Sequence, residues 1–475
     1  MNNITITWIA LPLFVGFVIY LIPKIDRFLA LGMTLVSGAY ALQILINQES
    51  LRLQLLDNFG VTLVIDQLSG YFILTNALVT AAVILYCWNT GRSAFFYMQA
   101  IFLHGSLNSA FICADFLSLY VALEVIGIAA FLLITYPRSD RSIWVGLRYL
   151  FISNTAMLFY LVGALLVYQA NNSFLFEGLG NAPIEAQALI LMGLLTKGGI
   201  FVSGLWLPLT HSESESPVSA LLSGVVVKAG VYPLLRCALL VEEIDPIIRI
   251  FGVGTALLGA FYAIFEKDTK RTLALSTISQ LGFILSAPAV GGLYALAHGL
   301  VKATIFLIAG ILPSRNFTEL QERPTNRWLW MTLVIASLSV SGFPLLVGFG
   351  AKMLTVKNLE SWQEIVMNVA AVGTAAVYAK FIFLPNNGKD TVRAGFWPAA
   401  ALLIGGMLLA NIGTFQAYTV TNIAKAFATI GAGWVTYFFI FRRLDFKVPS
   451  VAEKFEHLVG GMSLMLVALF WMILA

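Results

Sequence analysis

Residues 195–208 read LTKGGIFVSGLWLP, a lysine followed by two glycines within an apolar stretch. The surrounding segment, 186–208, has about the 20 residues that a helix needs to cross a bilayer. Gly198, Gly199 and Pro208 predict that this helix is interrupted, and an interruption is tolerated only where the freed backbone groups line a cavity. A charged side chain at that depth costs on the order of 2.5–3.5 kcal/mol. The stretch therefore predicts a membrane helix broken beside a functional lysine, Lys197.

The composition places most of the chain in a bilayer. Hydrophobic residues make up 59% of the 475 and charged residues 11%, against about 25% charged in soluble domains. The formal net charge of +4 is too small to indicate a nucleic-acid partner. Cys87, Cys113 and Cys237 are far apart and form no CxxC pair. We therefore expect no disulfide framework, no metal site and no cofactor.

Apolar segments of spanning length follow one another along the whole chain. The first has no basic region before it and no small-residue cleavage site, which favours a spanning helix over a removable signal peptide. We predict an all-α integral membrane protein with about 14–16 transmembrane helices. The segments are 4–23, 26–46, 68–88, 95–113, 115–136, 145–169, 186–208, 217–240, 246–265, 271–288, 291–313, 328–351, 362–385, 395–415, 418–441 and 457–475.

Loop charges predict the orientation of these segments. Basic residues follow segments 1, 3, 5, 9, 11, 13 and 15, as with Arg138 and Arg141, whereas the loops between them are neutral or acidic, as with Glu242 and Glu243. By the positive-inside rule the basic loops are cytoplasmic. Both termini are then expected on the non-cytoplasmic side of the cell (inner) membrane.

A second interrupted segment is predicted where residues 337–352 read SLSVSGFPLLVGFGAK. Gly342 and Pro344 mark this break, and Lys352 follows it, either on a path through the membrane or close to its outer surface. The break lies five segments after the first, so the two halves are antiparallel, which is typical of inverted-repeat transporters. We predict N-terminal helices in 1–94, a first repeat in 95–240, a second inverted repeat in 241–385 and C-terminal helices in 386–475.

Six ionisable residues lie inside segments that are otherwise apolar. Glu124 needs a cation nearby, and Lys197 is the expected partner; the alternative is a protonated glutamate kept for packing. Such a pair can break and re-form as protons arrive. Lysine, unlike arginine, can lose its proton when desolvated, and His298 and Lys302 share one helix face. We therefore predict a proton relay formed by Glu124, Lys197, Lys228, His298, Lys302 and Lys352.

A polar run follows the first break and contains His211, Glu213 and Glu215. We interpret it as a loop, which is either solvated polar surface or an entry point for a proton or cation. One histidine and two carboxylates in a flexible run do not indicate a metal site.

Four motifs together resemble the antiporter-like membrane subunits of Mrp-type Na⁺/H⁺ antiporters and of respiratory complex I and its photosynthetic relatives. They are WLPLTHSESESPVSALLSGVVVKAGVY at 206–232, KRTLALSTISQLG at 270–282, His298 with Lys302, and the run from Gly342 to Lys352. The resemblance covers the third to the thirteenth segment. The chain departs from it at Leu209, where the family often has an acidic residue, and at Gln280, where many complex I members have histidine. Gln280 and the terminal Lys352 favour the D-type member of the Mrp antiporters.

The resemblance implies a role for each relay residue. Glu124 and Lys197 resemble the family's Glu–Lys pair, Lys228, His298 and Lys302 its hydrated central axis, and Lys352 its proton exit. Members pass protons along the membrane mid-plane through water wires, coupled to neighbouring subunits.

Three functions stay open at this stage. The first is a proton-conducting subunit of a multisubunit Na⁺/H⁺ antiporter, which would be a transporter component and not an enzyme. The second is a proton-pumping subunit of a quinone-reducing complex, and the third is a membrane subunit of an inorganic-carbon uptake system. The expected partners are other membrane subunits, H⁺, Na⁺ and the lipid bilayer. No ATP-binding or redox motif is present in the sequence.

Overall fold

The computed structural model describes residues 2–56, 60–388, 391–444, 446 and 449–474. Its helices are α1 (Asn2–Leu21), α2 (Asp26–Asn47), α3 (Gln67–Cys87), α4 (Ala94–Ala110), α5 (Phe116–Ile134), α6 (Asp140–Asn171), α7 (Ile184–Lys197), α8 (Leu207–Glu213), α9 (Ser216–Leu221), α10 (Lys228–Leu240), α11 (Ile244–Phe265), α12 (Thr269–Ser286), α13 (Gly291–Ala309), α14 (Phe317–Glu322), α15 (Arg327–Ser341), α16 (Val347–Lys357), α17 (Ser361–Ile382), α18 (Phe396–Ile412), α19 (Val420–Phe439) and α20 (Phe455–Leu474).

Short irregular turns join several of these helices. A π-helical turn, Leu222–Val226, connects α9 to α10. The 3-10 turns are Pro23–Ile25, Phe176–Leu179, Phe201–Trp206, Pro288–Val290, Phe415–Ala417, Phe441–Arg443 and Ser450–Glu453.

The predicted helical membrane architecture is confirmed. Within the described residues, 12 helices are long and apolar enough to cross a membrane. The four predicted segments outside this set coincide with α4, α12, α15–α16 and α18. Of these, α12 is polar because protein surrounds it: every residue except Arg271 is buried. A helix without lipid contact needs no apolar outer face.

One small element was not predicted from the sequence. Strands β1 (Leu51–Gln54) and β2 (Thr62–Ile65) pair antiparallel between α2 and α3, where the sequence indicates only a loop. Leu53 and Leu63 face each other and are buried, and Arg52 forms an exposed ion pair with Glu177. A run of four residues is too short to stand out against the apolar segments around it.

Burial separates a protein-enclosed centre from a lipid-facing rim. The most apolar 18-residue stretch of the span Ser216–Leu240 is entirely buried, and the corresponding stretches of Pro288–Ala309 and Val420–Arg443 are 94% and 17% buried. Large apolar side chains are exposed on α1, α19 and α20, for example Phe14, Val420 and Trp471. In a bilayer such exposure is favourable, so the central helices are where polar groups need partners.

The tightest contact between long helices joins α11 to α12 through glycines. A Cβ added to Gly259 would lie 2.7 Å from Ser279 Cα and 2.8 Å from Leu275 O. A Cβ on Gly252 would lie 2.8 Å from Ser286 N. Small residues that let backbones approach closely are the usual solution for helix packing in membranes.

This contact predicts that Gly259→Ala destabilises the protein. The new methyl group forces α11 and α12 apart, and overpacking of this kind costs about 1–3 kcal/mol. Gly431→Ala on α19 is the control, since a Cβ there meets nothing within 4 Å. Thermal unfolding of the purified variants measures the difference, and equal stability of both would contradict the packing argument.

Candidate functional site

The first helix break lies between α7 and α8. The α-helix ends at Lys197, and Gly198 and Gly199 follow, with Gly199 at a φ of +70° that side chains rarely adopt. The chain then makes a 3-10 turn and enters α8 with Pro208 in its first turn. The indole of Trp206 donates a hydrogen bond to Thr196 O at 3.0 Å and so satisfies one carbonyl beside the break.

The Lys197 ammonium is buried beside this break. Its Nζ donates to Ser153 Oγ on α6 at 2.5 Å. A cavity of about 10 Å³, roughly one water molecule, is lined by Lys197, Ser153, Tyr149 and Trp206 among others. The hydroxyls of Tyr149 and Thr196 point into buried space with no hydrogen-bond partner among the described residues. The site therefore contains hydrogen-bonding groups that the direct contacts leave without a partner.

Glu124 lies close to Lys197 but does not bind it. Both residues are described, and they form no ion pair within 4 Å, because the ammonium donates its hydrogen bond to Ser153 instead. Gly127, one turn after Glu124 on α5, faces the ammonium, because a Cβ there would lie 3.2 Å from Lys197 Nζ. Glu124 Oε1 is buried and has no partner in the described part of the chain. Glu124 therefore lies near the Lys197 ammonium, about one helical turn along α5 from the residue that faces it.

Lys228 and His298 meet at the centre of the bundle. The Lys228 ammonium donates to Ser223 O at 3.3 Å and to Gly224 O, both in the π-helical turn, and lies 3.2 Å from His298 Nδ1. When Lys228 is protonated its ammonium can only donate, so in that state Nδ1 accepts and the ring proton is on Nε2. His298 Nε2 is buried and has no partner in the described ranges.

Lys302 lies one turn after His298 on the same helix, α13. Its Nζ donates to Leu273 O of α12 at 2.9 Å and lies 5.5 Å from the ring centre of Tyr378. No carboxylate of the described residues pairs with Lys228 or Lys302. Their acceptors are backbone carbonyls, the histidine ring and an aromatic face.

The second break, like the first, has a glycine at positive φ after the end of a helix. Helix α15 ends at Ser341, Gly342 takes a φ of +90°, and Pro344 lies in the link before α16. Lys352, in α16, reaches back to Ser341 O at 3.4 Å and lies 5.4 Å from the ring centre of Phe283.

A cavity connects this break with His298. It measures about 10 Å³ and is lined by His298, Gln280, Tyr294 and Gly348 among others. Buried hydroxyls continue beyond it, with no hydrogen-bond partner among the described residues; they belong to Ser337, Ser339 and Thr355. The polar groups therefore extend from His298 toward Lys352.

The loop interpretation is corrected for His211 and Glu213, which lie in α8, whereas Glu215 lies in the short link between α8 and α9. His211 lies in α8, is fully buried, and contacts the rings of Trp206 and Phe306. Glu213 pairs with Arg141 at 3.2 Å, and both oxygens of Glu215 bind Arg92. Serine hydroxyls bond back to nearby carbonyls here, for example Ser219 Oγ to His211 O at 2.7 Å.

Two buried lysines and one half-buried arginine were not among the candidate residues. Lys380 of α17 donates to Ala263 O and Glu266 O at 2.8 Å and so caps the end of α11. Lys270 donates to Ser214 O at 2.5 Å, and Arg148 of α6 is half-buried. Lys380 and Arg148 lie inside predicted apolar segments. The signal that identified Lys197, a charged residue within an apolar segment, therefore applies to them as well.

Comparison with known proteins supports one family. The model described as NADH:quinone oxidoreductase/Mrp antiporter, transmembrane, matches residues 113–377, more than half of the chain. The D chain of the Na⁺/H⁺ antiporter of Alkalihalophilus pseudofirmus is 27% identical over 398 residues, covering 75% of this chain and 80% of the relative. The N chain of the NADH-quinone oxidoreductase of Desulforudis audaxviator is 32% identical over 360 residues, covering 67% and 71%.

A solved structure shares the fold. A chain of the Mrp complex from Dietzia sp. superposes with a TM-score of 0.76 at 18% identity, over 95% of this chain and 98% of that one. The matched family region contains both helix breaks and all six relay candidates. The chain therefore belongs to the membrane-subunit family shared by NADH:quinone oxidoreductases and Mrp antiporters.

Proposed function

We propose that this chain is a proton-translocating membrane subunit of a multisubunit Na⁺/H⁺ antiporter. The observation that carries the proposal is the row of buried lysines, Lys197, Lys228, Lys302 and Lys352, of which the first and last stand beside broken helices. Ionisable groups inside a membrane protein indicate a proton or ion pathway, because burial opposes their charge. The relative from the Na⁺/H⁺ antiporter covers more of this chain than the relative from the quinone oxidoreductase does.

Lys228 and His298 can hold one positive charge between them. Two unit charges 3.2 Å apart repel by about 5 kcal/mol at an effective dielectric constant of about 20. No described carboxylate is in ion-pair contact to compensate a second charge. A proton arriving at one group therefore displaces a proton from the other, and this exchange is the elementary step of a relay.

Lys197 is the switch that feeds this centre. Its ammonium has an acceptor on α6, Ser153, and a carboxyl neighbour on α5, Glu124. Moving between them changes how strongly the proton is held. The break after Lys197 also packs against α10, since a Cβ on Gly230 would lie 2.7 Å from Gly198 Cα. A shift at the break can thus reach the helix that carries Lys228.

The two broken helices are proposed as equivalent parts of inverted repeats, 95–240 and 241–385. Each break combines a glycine at positive φ with a lysine that remains buried. Both termini would then lie on the non-cytoplasmic side, in line with the basic loops. The partner subunits would supply the change in charge that moves Lys197 between its acceptors.

A second function is favoured by a separate observation. The relative from the quinone oxidoreductase is the more identical of the two, at 32%. The same relay would then serve a complex that reduces quinone. Purifying the native complex and identifying the co-purified proteins separates the two: redox proteins would overturn the antiporter assignment and leave the relay intact.

The proposed switch predicts that Glu124→Gln and Lys197→Ala each reduce Na⁺-driven proton flux at least about tenfold, as expected when a proton-transfer group is lost. The measurement uses everted membrane vesicles that carry the complete complex. Lys425→Ala is the matched control, since Lys425 is exposed on the membrane helix α19. Antiport at the level of the unaltered complex in both switch variants would contradict the assignment.

The last relay position, Lys352, allows proton transfer to be distinguished from the effect of a fixed positive charge. Arginine cannot release its proton in a protein. If Lys352 passes protons, Lys352→Arg abolishes flux as Lys352→Ala does, although it keeps the positive charge. Flux retained in the arginine variant and lost in the alanine variant would show that a fixed charge suffices. Proton flux in the same vesicles, normalised to the amount of assembled complex, gives the answer.

A further inference from the structure

A large amphipathic cavity lies on the side of the bundle that carries the basic loops, away from the relay. It measures about 890 Å³ and is bordered by α6, α11, α12 and the segment around the start of α20. This volume is in the range of ligand sites, about 300–1,000 Å³. Seven of its 14 lining residues are charged and seven are apolar or aromatic. None of the six relay candidates lines it.

Part of the charge in this cavity is already neutralised. Arg271 donates to Glu266 at 2.8 Å and to both oxygens of Glu453 at 2.6 and 3.2 Å. Burial acts to raise the pKa of Glu266, but hydrogen bonds from the Asp268 backbone and from Arg271 outweigh it and hold the pKa below its ordinary value. These groups therefore satisfy one another and leave Arg148 as the guanidinium available to a ligand.

Arg148 is partly buried without a hydrogen-bonding anion. Its Nη2 atom is buried and has no partner among the residues that the structure describes. The guanidinium rests 5.8 Å from the ring centre of Trp144, and neither Glu453 nor Glu456 is within ion-pair distance of it. A buried guanidinium N–H without an acceptor is costly. Phosphate oxygens match its forked geometry with two parallel hydrogen bonds.

The position of Arg148 along α6 corresponds to the level of lipid headgroups. It lies eight residues after Asp140, or about 12 Å along the helix. Helical side chains lean toward the N-terminus, so the guanidinium reaches back to Trp144. Trp144 is 50% exposed, and tryptophan at such positions marks the membrane interface.

The apolar half of the cavity distinguishes a lipid from a free anion. Tyr262, Phe265 and Phe455 line it together with Trp144. A free phosphate ion would contact only the charged half. A glycerophospholipid uses both, with the phosphodiester against the cations and the start of its acyl chains against the aromatic rings.

We propose that this cavity binds the headgroup of a glycerophospholipid from the leaflet on the basic-loop side. The Arg148 guanidinium, which lines the cavity, donates to the phosphodiester, and the chains lie along Trp144 and Phe455. The site is independent of the relay and of the cation that the complex exchanges.

The proposal is tested by native mass spectrometry of the full chain in its complex, delipidated and titrated with palmitoyl-oleoyl phosphatidylglycerol. We expect one tightly bound lipid, and about a tenfold or larger loss of affinity in Arg148→Gln. Arg148→Lys should lose less, because the charge remains. Arg315→Gln, an exposed cation on the same face but outside the cavity, should bind as the unaltered protein does.

Two results would overturn the proposal. One is equal lipid affinity in Arg148→Gln and in the unaltered protein. The other is displacement of the lipid by millimolar inorganic phosphate, which would make the cavity a site for free anions. Trp144→Ala tests whether a loss of lipid binding is a folding artefact. This variant keeps Arg148, so the only expected change is weaker binding of the long-chain lipid. Size-exclusion elution verifies that each variant remains assembled.

Discussion

An ammonium group inside a bilayer needs oxygen or nitrogen acceptors, and a regular helix offers few of them. Interior helical carbonyls are already bonded to amides four residues on. The chain provides acceptors by irregularity: the π-helical turn Leu222–Val226 presents carbonyls to Lys228, and the end of α15 presents Ser341 O to Lys352. Lys197 relies on a serine hydroxyl from a neighbouring helix instead. Irregular backbone therefore serves Lys228 and Lys352, whereas Lys197 and Lys302 take their acceptors from neighbouring helices.

The same constraint leaves these lysines loosely held. Neutral acceptors stabilise an ammonium less than a carboxylate does, so each lysine remains able to give up its proton. The contact between Lys228 and His298 also holds its proton loosely, because two basic groups compete for the same positive charge. A chain of fully paired ions would be a stable structure and a poor conductor. The isolated position of Glu124, close to Lys197 and yet unbonded, fits this general design.

Much of this structure could be predicted from the sequence. Each of the sixteen apolar segments coincides with one helix or with a broken pair, because length and hydrophobicity decide what can cross a bilayer. Both breaks could be located from glycine and proline beside a lysine. The relay candidates were identified by the cost of burying charge, which depends on residue type alone. The β-hairpin and the burial of His211 were missed, since short strands and locally satisfied polar runs leave little trace in composition.

The amino-acid sequence alone was enough to predict a membrane bundle with two interrupted helices and a set of charged residues whose burial is energetically costly. Which groups those charges meet depends on the folded arrangement. Lys197 contacts Ser153, 44 positions away, and not Glu124; Lys228 contacts His298, 70 positions away. Arg148 lines a cavity only because folding brings the segments around α6, α11 and α20 together. Hydrophobicity acts residue by residue and can be followed along the chain, whereas hydrogen bonding joins atoms that only folding brings together.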